Sequence, residues 1–212
     1  MFISLAQLVN QLVNEGWLKT PRITEAFLKI KREDFVPEEI KEIAYLNEAL
    51  SIGYGQTISQ PSVVAFMLEL LSPKEGEKIL DIGSGSGWTT ALLSYLAGDK
   101  GKVISIERIK ELKEFGENNI KKYNFIKKGI AKVILGDGYQ GFKEEAPFDK
   151  ILISASASKI EEEWLKQLKT NGKIVLPIND EIITIEKLSE KEKKIERYPG
   201  FVFVPLIKHL KY

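Results

Sequence analysis

KILDIGSGSGW, residues 78–88, decides the fold. An apolar run from Lys78 to Ile82 meets three closely spaced glycines, and helix-forming sequence follows from Trp88 to Leu96. A strand that turns through glycines into a helix is the opening unit of an open parallel sheet. The same rhythm continues outward. KVISIE at 102–107 precedes a helical stretch at 109–123, and AKVIL follows at 131–135. FDKILIS at 148–154 leads to helical sequence around 160–168, and KIVLP at 173–177 ends the alternation. Continuous apolar strands separated by helices imply a mostly parallel sheet covered on both faces. Beyond it, residues 181–187 and 194–204, joined by a charged turn at 188–193, predict an antiparallel hairpin on the sheet edge.

Upstream of residue 78 the pattern is helical. Residues 2–15 have an amphipathic spacing that stops at Gly16. Thr20-Pro21 is a start signal for a second helix carrying Ile23, Phe27 and Ile30. Phe35-Val36-Pro37 breaks it, and a short helix is expected at 38–42. Residues 47–61 look like loop, and Pro61 opens an apolar helix at 63–71 stopped by Ser72-Pro73. The expectation is a single α/β domain over 1–212. Its parts are a helical extension and polar loop at 1–60, an α/β core at 61–180, and a hairpin with tail at 181–212.

Composition narrows the chemistry. The chain has 212 residues, 31 basic and 30 acidic side chains, no cysteine and one histidine, His209. No thiol means no disulfide, no cysteine nucleophile and no Cys-ligated metal. One histidine, three residues from the end, argues against a multi-histidine metal site and against a Ser-His-Asp triad. No metal is expected. A net charge of +1 argues against a nucleic-acid partner. No apolar run reaches 18 residues, and polar residues interrupt the N-terminal helix, so neither a membrane partner nor a signal peptide is expected. A cytoplasmic monomer is the default expectation. Any enzymatic chemistry must come from carboxylates, hydroxyls, backbone groups or a cofactor.

The glycine loop and its acids point to the cofactor. Gly83, Gly85 and Gly87 are spaced GxGxG, and Trp88 stands where a dinucleotide fingerprint needs its third glycine. There is no Walker-type GK[ST] either. Asp81 precedes the loop, where a carboxylate would repel a pyrophosphate but suits an ammonium group. Glu107 ends the next strand, 20 residues after Gly87, where an acid accepts hydrogen bonds from a ribose diol. Asp137, in the GDG after the third strand, suits an adenine amino group. A nucleoside with an amino-acid tail and no phosphate describes S-adenosylmethionine. Taken singly, Asp81 could cap a turn, Glu107 could be surface charge and GDG could be a bare turn.

GYGQTISQP at 53–61 is the most unusual segment. A helix cap by Ser59 would explain Ser59 and Pro61 but not Gln56, Thr57 and both glycines. With LDIGSGSGW, VISIER, GDGYQGF, APFDKILIS, KQLKTNGKIVLP and FVFVPL in the same order, the whole chain resembles the protein-L-isoaspartate O-methyltransferases. The resemblance implies a Rossmann-like, S-adenosylmethionine-dependent methyltransferase. Its substrates would be L-isoaspartyl and, more weakly, D-aspartyl carboxylates of damaged proteins and peptides, with methylation initiating repair.

It further implies roles for particular residues. Ser59 would sit at the reacting carboxylate, with Thr57 and Ile58 beside it and Val204, Pro205 and Leu206 near the substrate peptide. Gln56, Thr57, Ile58 and Ser59 would also line the cofactor. Asp81, Gly83, Ser84, Gly85 and Ser86 would hold its methionine end, Glu107 with neighbouring Arg108 its ribose, and Asp137 and Gly138 its adenine. The chain departs from the family pattern at ASASKIEE, 155–162, which lacks prolines, at Trp88 in place of the usual tyrosine, and at its ending without glycine. Another methyl acceptor (a different protein group, RNA or a metabolite) and a non-catalytic binding module remain the competing readings.

Overall fold

A computed structural model describes residues 3–208; the first two residues and the tail from His209 onward lie outside the described residues. The expected helix start at Phe2 and the atypical ending therefore fall partly outside it. The first helix, α1 (Leu5–Asn14), begins where Ser4 and Gln7 cap each other reciprocally, and it buries Leu8, Val9 and Leu12. Gly16, at φ 76°, turns the chain out. The second, α2 (Pro21–Lys29), starts behind Thr20, but the Thr20 hydroxyl does not cap it. Instead Glu69 accepts hydrogen bonds from that hydroxyl and from the backbone N–H groups of Lys19 and Thr20. Single 3-10 turns follow at Arg32–Phe35 and Glu38–Ile43, the second where a short helix was expected.

The stretch expected to be loop at 47–61 contains a small antiparallel hairpin, β1 (Leu50–Gly53) against β2 (Gln56–Ile58). Tyr54 and Gly55 both have positive φ, 55° and 69°, as a tight two-residue hairpin turn requires. Leu50, Ile52 and Ile58 point into the core, while the opposite face is polar and made the segment read as loop. Helix α3 (Pro61–Leu71) follows and ends at Ser72 in left-handed geometry.

The main sheet has seven strands: β3 (Lys78–Ile82), β4 (Lys102–Glu107), β5 (Ala131–Leu135), β6 (Phe148–Ile153), β7 (Leu168–Ile178), β8 (Glu181–Lys187) and β9 (Lys193–Pro199). Their spatial order is β5-β4-β3-β6-β7-β8-β9, parallel from β5 to β7 and antiparallel through β8 and β9. Helices α4 (Trp88–Ala97), α5 (Lys110–Lys121) and α6 (Glu162–Lys166) connect the parallel strands. The α/β sheet with its terminal hairpin agrees with expectation. Two details differ. The last connecting helix is only five residues, because β7 already begins at Leu168. The last strand stops at Pro199 and not at 204, since Gly200 takes φ 96° and the Gly200 and Phe201 amides turn back to the Asp180 carbonyl.

Apolar side chains fill both faces of the sheet. One layer combines α1–α4 with Ile79, Val103, Val133 and Leu152; the other gathers Leu80, Ile82, Ile104, Ile151 and Trp164. The connections diverge between β3 and β6: β3 leads away to β4, whereas β6 leads to β7. In an open sheet the ligand crevice lies at the carboxyl ends of the strands flanking such a point.

Candidate active site

A cleft opens there. Its walls include Gln56, Thr57, Ile58 and Ser59 on one side and Gly83, Ser84, Gly85 and Ser86 on another. Glu107, Arg108, Gly138, Val204, Pro205 and Leu206, also named from the sequence, line it as well. Segments more than a hundred residues apart therefore meet around one hollow. Two named residues do not line it, Asp81 and Asp137.

The glycine loop is shaped by main-chain contacts. The amides of Gly83 and Ser84 donate to the Ile106 carbonyl, and Gly87 folds back onto the Ser84 carbonyl. Helix α5 presses against it from behind. A Cβ at Gly116 would come within 2.7 Å of the Gly85 carbonyl oxygen, and one at Gly87 within 2.8 Å of the Gly116 carbonyl oxygen. Two glycines facing each other let helix and loop touch backbone to backbone. The Asn119 side chain, on the same helix, donates to the Ser86 carbonyl at 3.1 Å.

Glu107 is 6% exposed and already organised. One of its oxygens accepts the Gly85 amide at 3.0 Å; the other accepts the Arg108 and Ile109 amides at 2.8 and 2.9 Å. It is thus no stray surface charge. Three of the roughly four acceptor positions of a carboxylate are used, and the remainder is available on the cleft wall.

Asp81 behaves differently. Strand alternation turns it to the same face as Ile79, beneath α4, so it lies under the glycine loop and not on the cleft wall. Thr90 donates to one of its oxygens at 2.6 Å, and the other has no partner. Burial pushes its pKa up to about 7, with the Thr90 hydrogen bond pulling it down and Glu107 adding to the rise. Asp137 caps its own turn by accepting the Tyr139 amide at 3.0 Å. It borders an adjoining hollow, next to the main cleft. One of its oxygens thus serves the turn, in line with the bare-turn alternative.

The hydroxyl of Ser59 is not spent on helix α3. Gln60 occupies the cap position without a side-chain bond, and Asn47 supplies the acceptor for the Ser62 amide in the first turn. Ser59 is half-buried on the cleft wall, and Thr57 is exposed. The wall at 204–206 is not part of the edge hairpin. After Gly200 the chain crosses to the end of β6, where the Ser156 amide donates to the Val204 carbonyl and the Leu206 amide to the Ser156 carbonyl, both at 2.8 Å. The atypical 155–162 stretch therefore carries the 204–206 wall of the cleft.

Sequence reasoning missed several contributors. Ser154 and Ala155 line the cleft, and their position at the end of a strand beside β3 was a usable signal. Trp88 lines it as well. Arg32, outside the cleft but bonded to the Ile58 and Ser59 carbonyls, was not singled out at all.

The site fits an adenosyl cofactor with an amino-acid tail. Two buried side-chain oxygens, Asp81 Oδ1 and Ser84 Oγ, lack any protein partner near the glycine loop. Buried polar atoms without partners are costly, and a cationic or hydrogen-bonding ligand group would satisfy them.

Comparison with known proteins agrees with this geometry. The family model for protein-L-isoaspartate(D-aspartate) O-methyltransferase matches residues 4–211. The protein-L-isoaspartate O-methyltransferase of Methanopyrus kandleri is 43% identical over 205 residues, covering 95% of this chain and 90% of that one. A solved protein-L-isoaspartate O-methyltransferase superposes with a TM-score of 0.84 at 27% identity, covering 95% of this chain and 65% of that longer one. A Plasmodium falciparum structure assigned to the same enzymes, in complex with S-adenosyl-L-homocysteine, gives a TM-score of 0.82 at 29% identity and covers 95% of this chain and 97% of its own.

Proposed function

The chain belongs to the protein-L-isoaspartate(D-aspartate) O-methyltransferase family, and from that premise we propose how its own residues carry the reaction. It transfers a methyl group from S-adenosylmethionine to the carboxylate of L-isoaspartyl residues in proteins. D-Aspartyl carboxylates are the weaker substrates. The observation that carries the assignment of roles is the single cleft joining the Gln56–Ser59 segment, the glycine loop and Glu107.

When bound, the cofactor supplies a methyl group activated by its sulfonium. An acceptor carboxylate with a pKa of about 4 is already ionised at neutral pH, so no residue has to remove a proton from it. The chain's contribution is orientation, which can be worth roughly 7–11 kcal/mol. Ser59 donates its hydroxyl to the acceptor carboxylate and turns one oxygen toward the methyl carbon; it is a donor and not a nucleophile. Thr57 and Ile58 flank the same group, and Val204, Pro205 and Leu206 border the peptide. Glu107 accepts from the ribose, with Arg108 beside it. Ser84, with Gly83, Gly85 and Ser86, holds the amino-acid end, and Gln56 borders it. Asp81, beneath the loop, would give up its proton when an ammonium binds above it and serve as its buried counter-charge. Gly138 and Asp137 mark the adenine end.

In an isoaspartyl residue the main chain is one methylene longer and the free carboxylate hangs directly from Cα, so geometry selects it over ordinary aspartate. We extend the proposal to one catalytic unit over 1–212, acting as a cytoplasmic monomer without nucleic-acid or membrane partners. The net charge of +1 supports the former exclusion, and among the described residues no helix is long and apolar enough to cross a membrane. Size-exclusion chromatography with light scattering checks the monomer. The function itself is tested with an isoaspartyl peptide and its aspartyl twin. Methyl ester should form on the first alone; equal transfer to both, or labelled methyl appearing in RNA instead, would overturn the assignment.

A further inference from the structure

Arg32 is the most deeply buried cation in the described chain, 1% exposed, and no carboxylate bonds to it. Its acceptors are main-chain carbonyls from two separate segments. One terminal nitrogen donates to Ala44 and, at 3.4 Å, to Leu46. The other donates to Glu48 at 2.8 Å, Ser59 at 3.0 Å and Ile58 at 3.4 Å. The guanidinium carbon lies 5.4 Å from the centre of the Trp88 ring. Trp88 is the first residue of α4, directly after the glycine loop, and lines the cleft.

We propose that Arg32 is a positioning residue for methyl transfer: its guanidinium fixes the main chain of Ile58 and Ser59 relative to Trp88, and so sets the acceptor side of the cleft against the cofactor side. The inference rests on the assignment of Ser59 to the reacting carboxylate. A buried charge is expensive unless its donors are used. Here both terminal nitrogens are spent on the backbone on either side of the β1–β2 hairpin, which carries the acceptor-side residues, while the buried Nε has no partner. The planar fork reaches several carbonyls while its face rests on an indole, and a lysine ammonium cannot do both. Burial lowers the pKa of Arg32 to about 9, which leaves it charged at neutral pH.

Arg32→Lys is the decisive variant. A displacement of the order of an ångström at a reacting group can cost about a hundredfold. Turnover of an isoaspartyl peptide should therefore fall roughly a hundredfold, while S-adenosylmethionine affinity by calorimetry stays within about threefold. The comparator is Phe27→Leu, which loosens the other packing partner of Trp88, its ring 5.4 Å away, without touching the guanidinium. For a similar loss of melting temperature it should keep turnover within about threefold, well short of the loss from misplacement. Full turnover in Arg32→Lys, or an equal loss in Phe27→Leu, would overturn the proposal. If Arg32→Lys does not fold, the unmodified enzyme decides. The chain has four arginines, so the buried guanidinium can be assigned by nitrogen-15 NMR. Its signals should shift when isoaspartyl peptide is added to the S-adenosylhomocysteine complex, and unchanged signals would refute the role. Absence of turnover in the unmodified enzyme would instead refute the assigned reaction.

Discussion

The glycine loop and the β1–β2 hairpin face each other across one cleft and are held in different ways. The loop is a product of the sheet. Its shape comes from neighbouring strand ends, from Glu107 on the next strand, and from the backbone of α5. The hairpin lies outside the sheet, and its exit into α3 is held from a distance, by Arg32 through carbonyls and by Asn47 at the helix start. A cofactor site can thus follow from α/β topology, whereas the acceptor site is assembled by the N-terminal extension. The two halves should fail separately when mutated.

The largest break is expected at the loop's back wall. Gly116→Val would drive a branched side chain into the Gly85 carbonyl, which a Cβ alone would approach to 2.7 Å. Overpacking of this kind costs about 1–3 kcal/mol, and calorimetry should show S-adenosylmethionine affinity reduced about a hundredfold. Intact affinity would mean that α5 does not shape the loop.

Glu107→Gln sharpens the comparison. It removes the charge from an acceptor held by three amides, and hydrogen bonds to charged groups contribute about 1.5–3 kcal/mol. Cofactor affinity should fall about 10- to 100-fold, while turnover at saturating cofactor stays near normal. A larger effect on turnover than on affinity would place Glu107 on the acceptor side.

Asp81 gives a pH signature. Its pKa is raised from 3.8 unfolded to about 7 folded, so the native state holds a proton that the unfolded state releases. Stability is fully present below about pH 4 and is lost as pH rises through about 7. Asp81→Asn removes that loss, and its stability advantage over the original chain should grow by about 2.5 kcal/mol between pH 5 and 8. Denaturant unfolding at both pH values checks it, and parallel slopes would contradict it. The smallest effect is expected for Asn119→Ala, which removes one bond to the Ser86 carbonyl. About 1 kcal/mol of stability and a few-fold loss of cofactor affinity should follow, with turnover unchanged at saturation.

What the amino-acid order reveals follows the same division. Strands β3 to β7 were legible because buried parallel strands are nearly continuous runs of Ile, Val and Leu. Glu107 was legible because strand ends and ligand sites coincide. The hairpin was not, because only Leu50, Ile52 and Ile58 face inward and the polar alternates dominate its composition. Asp81 was placed at its junction, but spacing alone does not say which face of β3 it takes, and it lies beneath the loop. Arg32 left no trace, because its partners are carbonyls, which every residue has. The path of 201–206 was hidden too: Gly200 ends the strand, and the bonds to Ser156 arise from tertiary contact.

The separability of the two halves is tested most directly on Ser59→Ala, with cofactor affinity and isoaspartyl turnover measured on one sample. Loss of one orienting donor should lower turnover about 10- to 100-fold and leave S-adenosylmethionine affinity within about threefold. Weakened cofactor binding with preserved turnover at saturating cofactor would contradict it and move Ser59 to the cofactor half.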